Sequence, residues 1–160
     1  MAQSIGPTLR RQWQFFSRLP GGKWLFSRLL GLAVPYSGSL HATVQKLEPG
    51  VCIASLKDRR RVRNHLHSVH AMALCNLAEL VTGLALLNGL PAGARGILKG
   101  FEIDYQKKSR GLLIAECRCE VPEGIAEREY RLTVRIRDRD GEVTVVARAN
   151  WLIGPEVKQS

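Results

Sequence analysis

The first 47 residues contain no acidic residue, although they carry six basic ones: Arg10, Arg11, Arg18, Lys23, Arg28 and Lys46. The chain also lacks an uninterrupted apolar run of the roughly 18 residues that a membrane span requires. No secretory signal is recognisable, because Arg10, Arg11 and Trp13 precede any apolar stretch and no small-residue cleavage site follows one. We therefore expect neither a spanning helix nor a secretory signal.

The four cysteines do not form a metal or redox motif. Cys117 and Cys119 flank a single arginine, so the Cys-x-x-Cys spacing of zinc and redox sites is absent. Two residues apart in a strand, their side chains would share a face, as small apolar side chains do. We expect free, reduced thiols, a cytoplasmic protein and no metal site.

The composition is that of one folded domain. The 160 residues are 45% hydrophobic and 24% charged, which is typical of a globular chain rather than a disordered one. The net charge of +10 favours an acidic partner: a nucleic acid, an anionic membrane or a phosphorylated small molecule. Charge alone leaves these three open.

Residues 1–34 are interpreted as a helical extension of a domain formed by residues 35–160. Two short helices are predicted over 8–19 and 22–31, separated by Pro20-Gly21-Gly22. An arginine-rich, acid-free pattern of this kind also occurs in transit peptides and in helices that lie on membranes. We favour packing against the domain, because aromatic side chains suit a core. The side chains expected to pack there are Trp13, Phe16, Trp24, Phe26 and Leu29.

The rest of the chain predicts six strands and one long helix. After a linker over 31–38, the predicted strands cover 41–47, 51–56, 97–105, 112–120, 129–138 and 143–152. Residues 68–90 form a helix that is apolar on nearly every face, with Glu79 as its one charged residue between His70 and Arg95. Such a helix must be buried on all sides. We expect an α+β fold in which an antiparallel sheet wraps around this helix, and a second copy of the chain that covers the remaining face.

The start of this helix resembles that of the hotdog-fold thioesterases. In those families an asparagine precedes a His-Gly-Gly that opens the central helix, and a carboxylate follows the histidine by nine positions. Here Asn64 precedes His70-Ala71-Met72, and Glu79 lies nine positions after His70. Residues 101–108 resemble the family's strand after the helix, which borders the coenzyme A channel. Residues 35–38 and 60–66 are similar to a bacterial group of uncharacterised, PaaI-like hotdog proteins.

The resemblance implies a function and a set of site residues. The function is hydrolysis of an acyl thioester of coenzyme A, or less readily of an acyl carrier protein, at a site shared across a homodimer. Ala71 would give its backbone N–H to the thioester carbonyl, and Glu79 would act as base or nucleophile. His70 and Asn64 would orient the site. Coenzyme A would enter as part of the substrate, with no other cofactor, and its phosphates would meet the basic residues Arg63, Lys107, Lys108 and Arg110.

Each assignment has an alternative. Glu79 could be a partly exposed residue at a helix end or form an ion pair between subunits. His70 could cap or pack the helix, and Asn64 could be an ordinary loop residue. Met72 replaces the family's second glycine, which favours a non-catalytic hotdog module that binds acyl-CoA or a fatty acyl group. The basic residues could be solvated surface. Nucleic acid and a membrane surface are the less favoured partners, and a tetramer built from dimers stays open.

Overall fold

The computed structural model describes residues 5–156, which form four α-helices and six β-strands. The helices are α1 (Ile5–Phe16), α2 (Gly22–Ala33), α3 (Pro35–Gly38) and α4 (Ala71–Gly89). The strands are β1 (Thr43–Glu48), β2 (Val51–Lys57), β3 (Ala94–Tyr105), β4 (Leu112–Arg118), β5 (Arg128–Arg137) and β6 (Val143–Pro155). The linker predicted over 31–38 is wrong in part, because Pro35 opens α3; its fixed φ and missing N–H suit the first turn of a helix.

All six strands belong to one antiparallel sheet in the order β1-β2-β4-β5-β6-β3. Strands β1 and β3 are therefore its two edges. The register shifts once within β1, between Val44 and Lys46, and once within β3, between Leu98 and Gly100. Irregularities of this kind bend a strand and increase its twist, which helps a sheet to curve.

The sheet wraps around α4, which contacts all six strands. On β5 the inward side chains Leu132, Val134 and Ile136 are buried, while the alternate residues Arg131, Arg135 and Arg137 face solvent. By length and mean hydropathy alone α4 could cross a membrane, but most of it is buried inside this sheet. A helix that is apolar on nearly all faces needs such a surrounding. The predicted α+β architecture, an antiparallel sheet around a buried central helix, is confirmed.

Helix α1 packs against the C-terminal end of α4. Leu9 is buried there. The Arg10 guanidinium donates hydrogen bonds to the carbonyl oxygens of Asn88 and Leu90, the second at 3.1 Å. Carbonyl groups at a helix C-terminus lack partners within the helix, and a cation there interacts favourably with the helix dipole.

Helix α2 covers the outer edge of β1. The Ser27 hydroxyl accepts a hydrogen bond from the Val44 N–H at 2.9 Å, and Arg28 donates from Nη2 to the Ala42 carbonyl at 2.8 Å. These contacts use backbone groups that an edge strand would otherwise leave unpaired.

The expectation that five apolar side chains of α1 and α2 pack inward is right for three and wrong for two. Trp13, Phe16 and Phe26 pack in or against the core. Trp24 is 59% exposed and Leu29 is 44% exposed. At about 100° per residue, Trp24 lies about 160° around α2 from Phe26, whereas Leu29 lies only about 60° from it, at the border of the exposed side.

The cysteines are free thiols, as predicted. Cys52 on β2 lies opposite Cys117 on β4, and both are buried. Burial raises the pKa of the Cys52 thiol. A hydrogen bond between the Cys117 and Cys119 thiols raises the pKa of Cys117 and lowers that of Cys119.

Candidate active site at the start of the central helix

Asn64 organises the loop that leads into α4. Its Oδ1 accepts hydrogen bonds from the backbone N–H groups of Leu66, at 2.9 Å, and Ser68, at 3.3 Å. The Ser68 hydroxyl donates to the same oxygen at 3.2 Å. A side-chain acceptor of this kind substitutes for backbone pairing in a turn. Asn64 therefore fixes the path of the chain toward the helix start.

His70 is the N-cap residue of α4. The ring Nδ1 of His70 accepts a hydrogen bond from the Met72 backbone N–H at 3.0 Å. The backbone N–H of His70 donates to the Val62 carbonyl at 2.7 Å. Because Nδ1 is an acceptor here, a neutral ring carries its proton on Nε2. The capping role that the sequence left open for His70 is therefore present in the structure.

Ala71 provides the first backbone N–H of α4. This N–H has no hydrogen-bond acceptor within residues 5–156, whereas the next one, that of Met72, is satisfied by His70. Unsatisfied N–H groups at a helix N-terminus carry partial positive charge. The carbonyl of Ala71 is held in place, because the Tyr105 hydroxyl donates to it at 3.0 Å. One backbone donor thus remains available for an oxygen atom of a ligand.

Glu79 lies two turns further along the same face of α4. Residues 71, 75 and 79 follow the i, i+4 spacing of one helix face, and all three are half-buried. Burial raises the pKa of the Glu79 carboxyl. Among the residues that the structure describes, no side chain forms an ion pair or a hydrogen bond with this carboxyl.

Two residues that the sequence analysis did not single out, Cys75 and Tyr105, adjoin this part of α4. Burial, and then the negative charge of Glu79, raise the pKa of the Cys75 thiol. Burial, and then the charge of Cys75, raise the pKa of the Tyr105 phenol. On the far side, a Cβ on Gly83 would lie 3.1 Å from the Trp151 ring and 3.9 Å from Glu79 Oε1. The absence of a side chain at Gly83 therefore leaves room for both neighbours.

The Ala71 N–H and the Glu79 carboxyl cannot act on one atom within a single chain. Eight residues of α-helix separate them by about 12 Å along the axis. A donor and a base at a reacting carbonyl must each come within about 3 Å of their targets. Both groups nevertheless lie on the face of α4 that the sheet covers least.

A cavity of about 480 Å³ opens beside the start of α4. Its walls include His70, Met72, Arg61 and Arg63, and the Met72 side chain is 56% exposed. The cavity therefore combines an apolar wall with two guanidinium groups, next to the helix N-terminus.

Arg63 and Arg110, both predicted to bind coenzyme A, brace the loop before α4. Arg63 Nε donates to Asp58 Oδ1 at 2.6 Å. Burial alone would raise the pKa of Asp58, but the hydrogen bond from Arg63 holds it below its usual value. Arg110 donates to the carbonyl oxygens of His67 and Leu66, at 3.1 and 3.3 Å. The structure thus brings these two arginines to the same loop, which their separation in sequence did not reveal.

The two lysines predicted to bind coenzyme A, Lys107 and Lys108, form no hydrogen bond or ion pair with the loop before α4. Lys107 forms an ion pair with Asp138 at 2.8 Å, in the turn between β5 and β6. The hydrogen bond between them raises the pKa of Lys107 and lowers that of Asp138. Lys108 is exposed, and it forms no hydrogen bond or ion pair in the described part of the chain.

The wrapped sheet and its central helix make this chain a hotdog-fold protein, as the sequence predicts. It belongs to the family described as Domain of unknown function (DUF4442), whose model matches residues 22–153. No curated protein matches the chain.

Solved structures share this fold over nearly their whole length. A structural-genomics protein is 27% identical, and the match covers 93% of this chain and 99% of that one, with a TM-score of 0.81. A protein of unknown function from Pseudomonas aeruginosa, described as a probable thioesterase, is 22% identical over 86% and 97% of the two chains, with a TM-score of 0.74. A hypothetical thioesterase from Streptococcus pneumoniae, solved with coenzyme A, is 18% identical over 79% and 98%, with a TM-score of 0.65. The predicted place in the hotdog thioesterase superfamily is confirmed at the level of the fold.

Proposed function

We propose that this chain hydrolyses acyl thioesters of coenzyme A at a site formed by two copies. The observation that carries the proposal is a pair of unsatisfied groups on one face of α4: the Ala71 N–H and the Glu79 carboxyl. A half-buried carboxyl without a partner is costly to keep, which favours a use for it. The thioesterases that share the fold, one of them solved with coenzyme A, support this class of reaction.

A homodimer would complete the site. Strand β3 is a 12-residue edge, and within the described residues it pairs only with β6. Pairing two β3 edges about a twofold axis would extend the sheet and set the two α4 helices antiparallel. Ala71 of one copy would then lie opposite Glu79 of the other, which removes the separation of about 12 Å that a single helix imposes.

The chemistry follows from these two groups. The Ala71 N–H donates to the thioester carbonyl oxygen and stabilises the negative charge that develops as water attacks the carbonyl carbon. Glu79 accepts the proton of that water, and its raised pKa brings it closer to the range of an effective base. The C–S bond of the tetrahedral intermediate then breaks, and the coenzyme A sulfur leaves with the proton that Glu79 took from water, which regenerates the carboxylate. His70 and Asn64 hold the helix start and its loop in place.

The phosphates of coenzyme A would meet the basic residues near this loop. Lys108 is unpaired within residues 5–156, and Arg63 and Arg110 each use only part of their five N–H donors. Lys107 would have to release Asp138 in order to take part. Coenzyme A is then part of the substrate, with no separate cofactor, and the free thiols support a cytoplasmic location.

Hydrolysis of acyl-CoA substrates of graded chain length tests the proposal, with release of the free thiol as the readout. The unaltered protein, called the parent below, should hydrolyse acyl-CoA substrates in this assay. Glu79→Gln keeps the shape of the side chain but removes the base, so turnover should fall by about 10² or more. Glu123→Gln changes an exposed glutamate in the loop between β4 and β5 and is the matched control. Parental turnover in Glu79→Gln would contradict the mechanism.

Met72 favours a second candidate, a non-catalytic module that binds acyl-CoA or a fatty acyl group. Its exposed side chain narrows the space at the helix start, where a tetrahedral intermediate would form. If the parent binds acyl-CoA in a calorimetric titration but does not hydrolyse it, the binding module is established instead of the hydrolase.

A further inference from the structure

The outward face of α2 carries four exposed apolar side chains. Trp24, Leu25, Leu29 and Leu32, which we name the α2 stripe, lie within a sector of roughly 140° around the helix axis. Leu32 is the most exposed of them, at 76%. Of the 16 exposed large apolar side chains within residues 5–156, nine fall between residues 5 and 36. Contiguous exposed apolar surface of this kind marks an interaction site.

A basic groove lies beside the α2 stripe. Its volume is about 460 Å³, and its walls include Trp24, Arg28, His41, Lys57 and Arg59, with no acidic residue among the lining side chains. The name basic groove refers to these five residues. Trp24 belongs to both features, so the groove and the stripe are continuous.

No acidic side chain of the described residues forms an ion pair with the cations of the basic groove. Within residues 5–156, neither Arg28 nor Arg59 forms an ion pair with an acidic side chain; their guanidinium groups bond to backbone oxygens and, for Arg28, to His41. The buried Arg28 Nε has no hydrogen-bond partner. Burial, and then the charges of Arg28, Arg59 and Arg61, lower the pKa of His41. The groove is therefore a concentration of cations that an anion would neutralise.

We propose that the α2 stripe and the basic groove dock this protein on the surface of an anionic phospholipid bilayer. The stripe enters the boundary between headgroups and acyl chains, and the groove receives lipid phosphate groups. Interfacial helices combine an apolar face with flanking Lys and Arg, and anionic lipids strengthen their binding. The acid-free composition of the chain before Glu48 gives the same charge complementarity over a wider surface.

A lipid surface fits these features better than a second copy of the chain does. The cores of protein interfaces are depleted of lysine, whereas Lys57 adjoins this stripe. The stripe also lies on the helix that covers β1, and the free β3 edge is at the other end of the sheet. A dimer formed through β3 would leave the α2 stripe uncovered. The proposal does not depend on thioester turnover.

Vesicle flotation of the full-length protein tests the docking surface. The parent should float with phosphatidylcholine–phosphatidylglycerol vesicles, should float poorly with phosphatidylcholine alone, and should be released by raised salt. The double variant Leu29→Asp/Leu32→Asp should lower binding to the anionic vesicles by more than about tenfold. Lys57→Glu, in the groove, should lower binding to the anionic vesicles only.

The matched control is Leu66→Asp/Ile125→Asp, which changes two apolar side chains, 46% and 44% exposed, outside α2 and outside the walls of the basic groove. Leu29 is 44% exposed and Leu32 is 76% exposed. The control should float like the parent, and thermal unfolding should show that both double variants are folded. Failure of the parent to bind anionic vesicles would overturn the proposal, as would equal flotation of the two double variants. A larger oligomer of the parent that Leu29→Asp/Leu32→Asp dissociates would overturn it too, because a second copy would then cover the stripe.

Discussion

At Ala71 the backbone N–H matters more than the side chain, and proline offers a way to remove it. His70 has φ −63° and ψ 141°, which is the conformation that a following proline requires. Proline is also favoured at the first position of a helix, and the N–H that it removes has no acceptor within residues 5–156. Ala71→Pro should therefore leave the melting temperature nearly unchanged while turnover on acyl-CoA falls by about 10²- to 10³-fold.

The control for Ala71→Pro is Ala71→Gly, which keeps the N–H and should be mild by comparison. Steady-state rates and melting curves of both variants check the expectation. If Ala71→Pro is folded and turns over at the parental rate, the Ala71 N–H does not stabilise the oxyanion.

Glu79 should make the stability of the protein depend on pH. Burial raises the pKa of this carboxyl above its unfolded value. The contribution of the protonated carboxyl to the stability of the folded state is therefore fully present below the unfolded pKa, and it is lost as pH rises through the folded pKa. Glu79→Gln removes this loss. Parent and variant should unfold at similar temperatures near about pH 4, and the variant should unfold at a higher temperature near about pH 8. A difference in melting temperature that is the same at both pH values would contradict the role of burial.

The sequence predicts the site residues that a short spacing along one helix relates to each other. It does not predict those whose place depends on contacts between distant parts of the chain. Glu79 stands out because it is the one charge on an apolar helix, and Cys75 shares its face by an i, i+4 spacing that can be counted along the chain. Tyr105 cannot be assigned in this way, since its bond to Ala71 depends on where β3 lies. The bonds of Arg110 to the loop before α4 are equally long-range.

At the scale of elements, Arg10 joins the N-terminal extension to the central helix by hydrogen bonds, beside the buried Leu9. Arg10 satisfies carbonyl groups at the end of α4 from a part-buried position. Arg10→Ala should therefore lower stability by about 1–3 kcal/mol, which corresponds to a fall of several degrees in melting temperature. Arg11→Ala is the matched control, because the neighbouring side chain is exposed. Equal melting curves for the two variants would show that Arg10 does not anchor α1.

Strand alternation and the all-round apolar helix are enough to predict the core elements, because both are periodic patterns that burial imposes directly. The same patterns do not reveal what covers an apolar side chain. Trp24 and Leu29 have the composition of core residues, yet they lie on the outer face of α2. Short elements are also missed, since the four residues of α3 are too few to show a period.

For the whole molecule, mixing two inactive variants tests whether the site is shared. In a dimer of Ala71→Pro with Glu79→Gln, one site combines two altered residues and the other combines an intact Ala71 with an intact Glu79. Random pairing makes half of the dimers mixed, with one of two sites intact, so about a quarter of parental turnover should return. Turnover of the mixture against that of each variant alone is the measurement.

The oligomer itself is checked by sedimentation, which should give about twice the 17.8 kDa of one chain. If the variants form mixed dimers and turnover does not recover, the two groups do not act across the interface. A stable monomer at micromolar concentration would exclude the shared site altogether.

The two edges of the sheet differ, and this difference limits how the protein can assemble. Ser27 and Arg28 of α2 bond to backbone groups at the start of β1, whereas no strand pairs with the outer side of β3 among the described residues. A sheet with one open end can add a single partner, and the joined pair has no open end left. In the proposed dimer, growth by strand addition would therefore stop at two chains. Loss of the α2 contacts would turn a self-terminating pair into a unit able to form fibres.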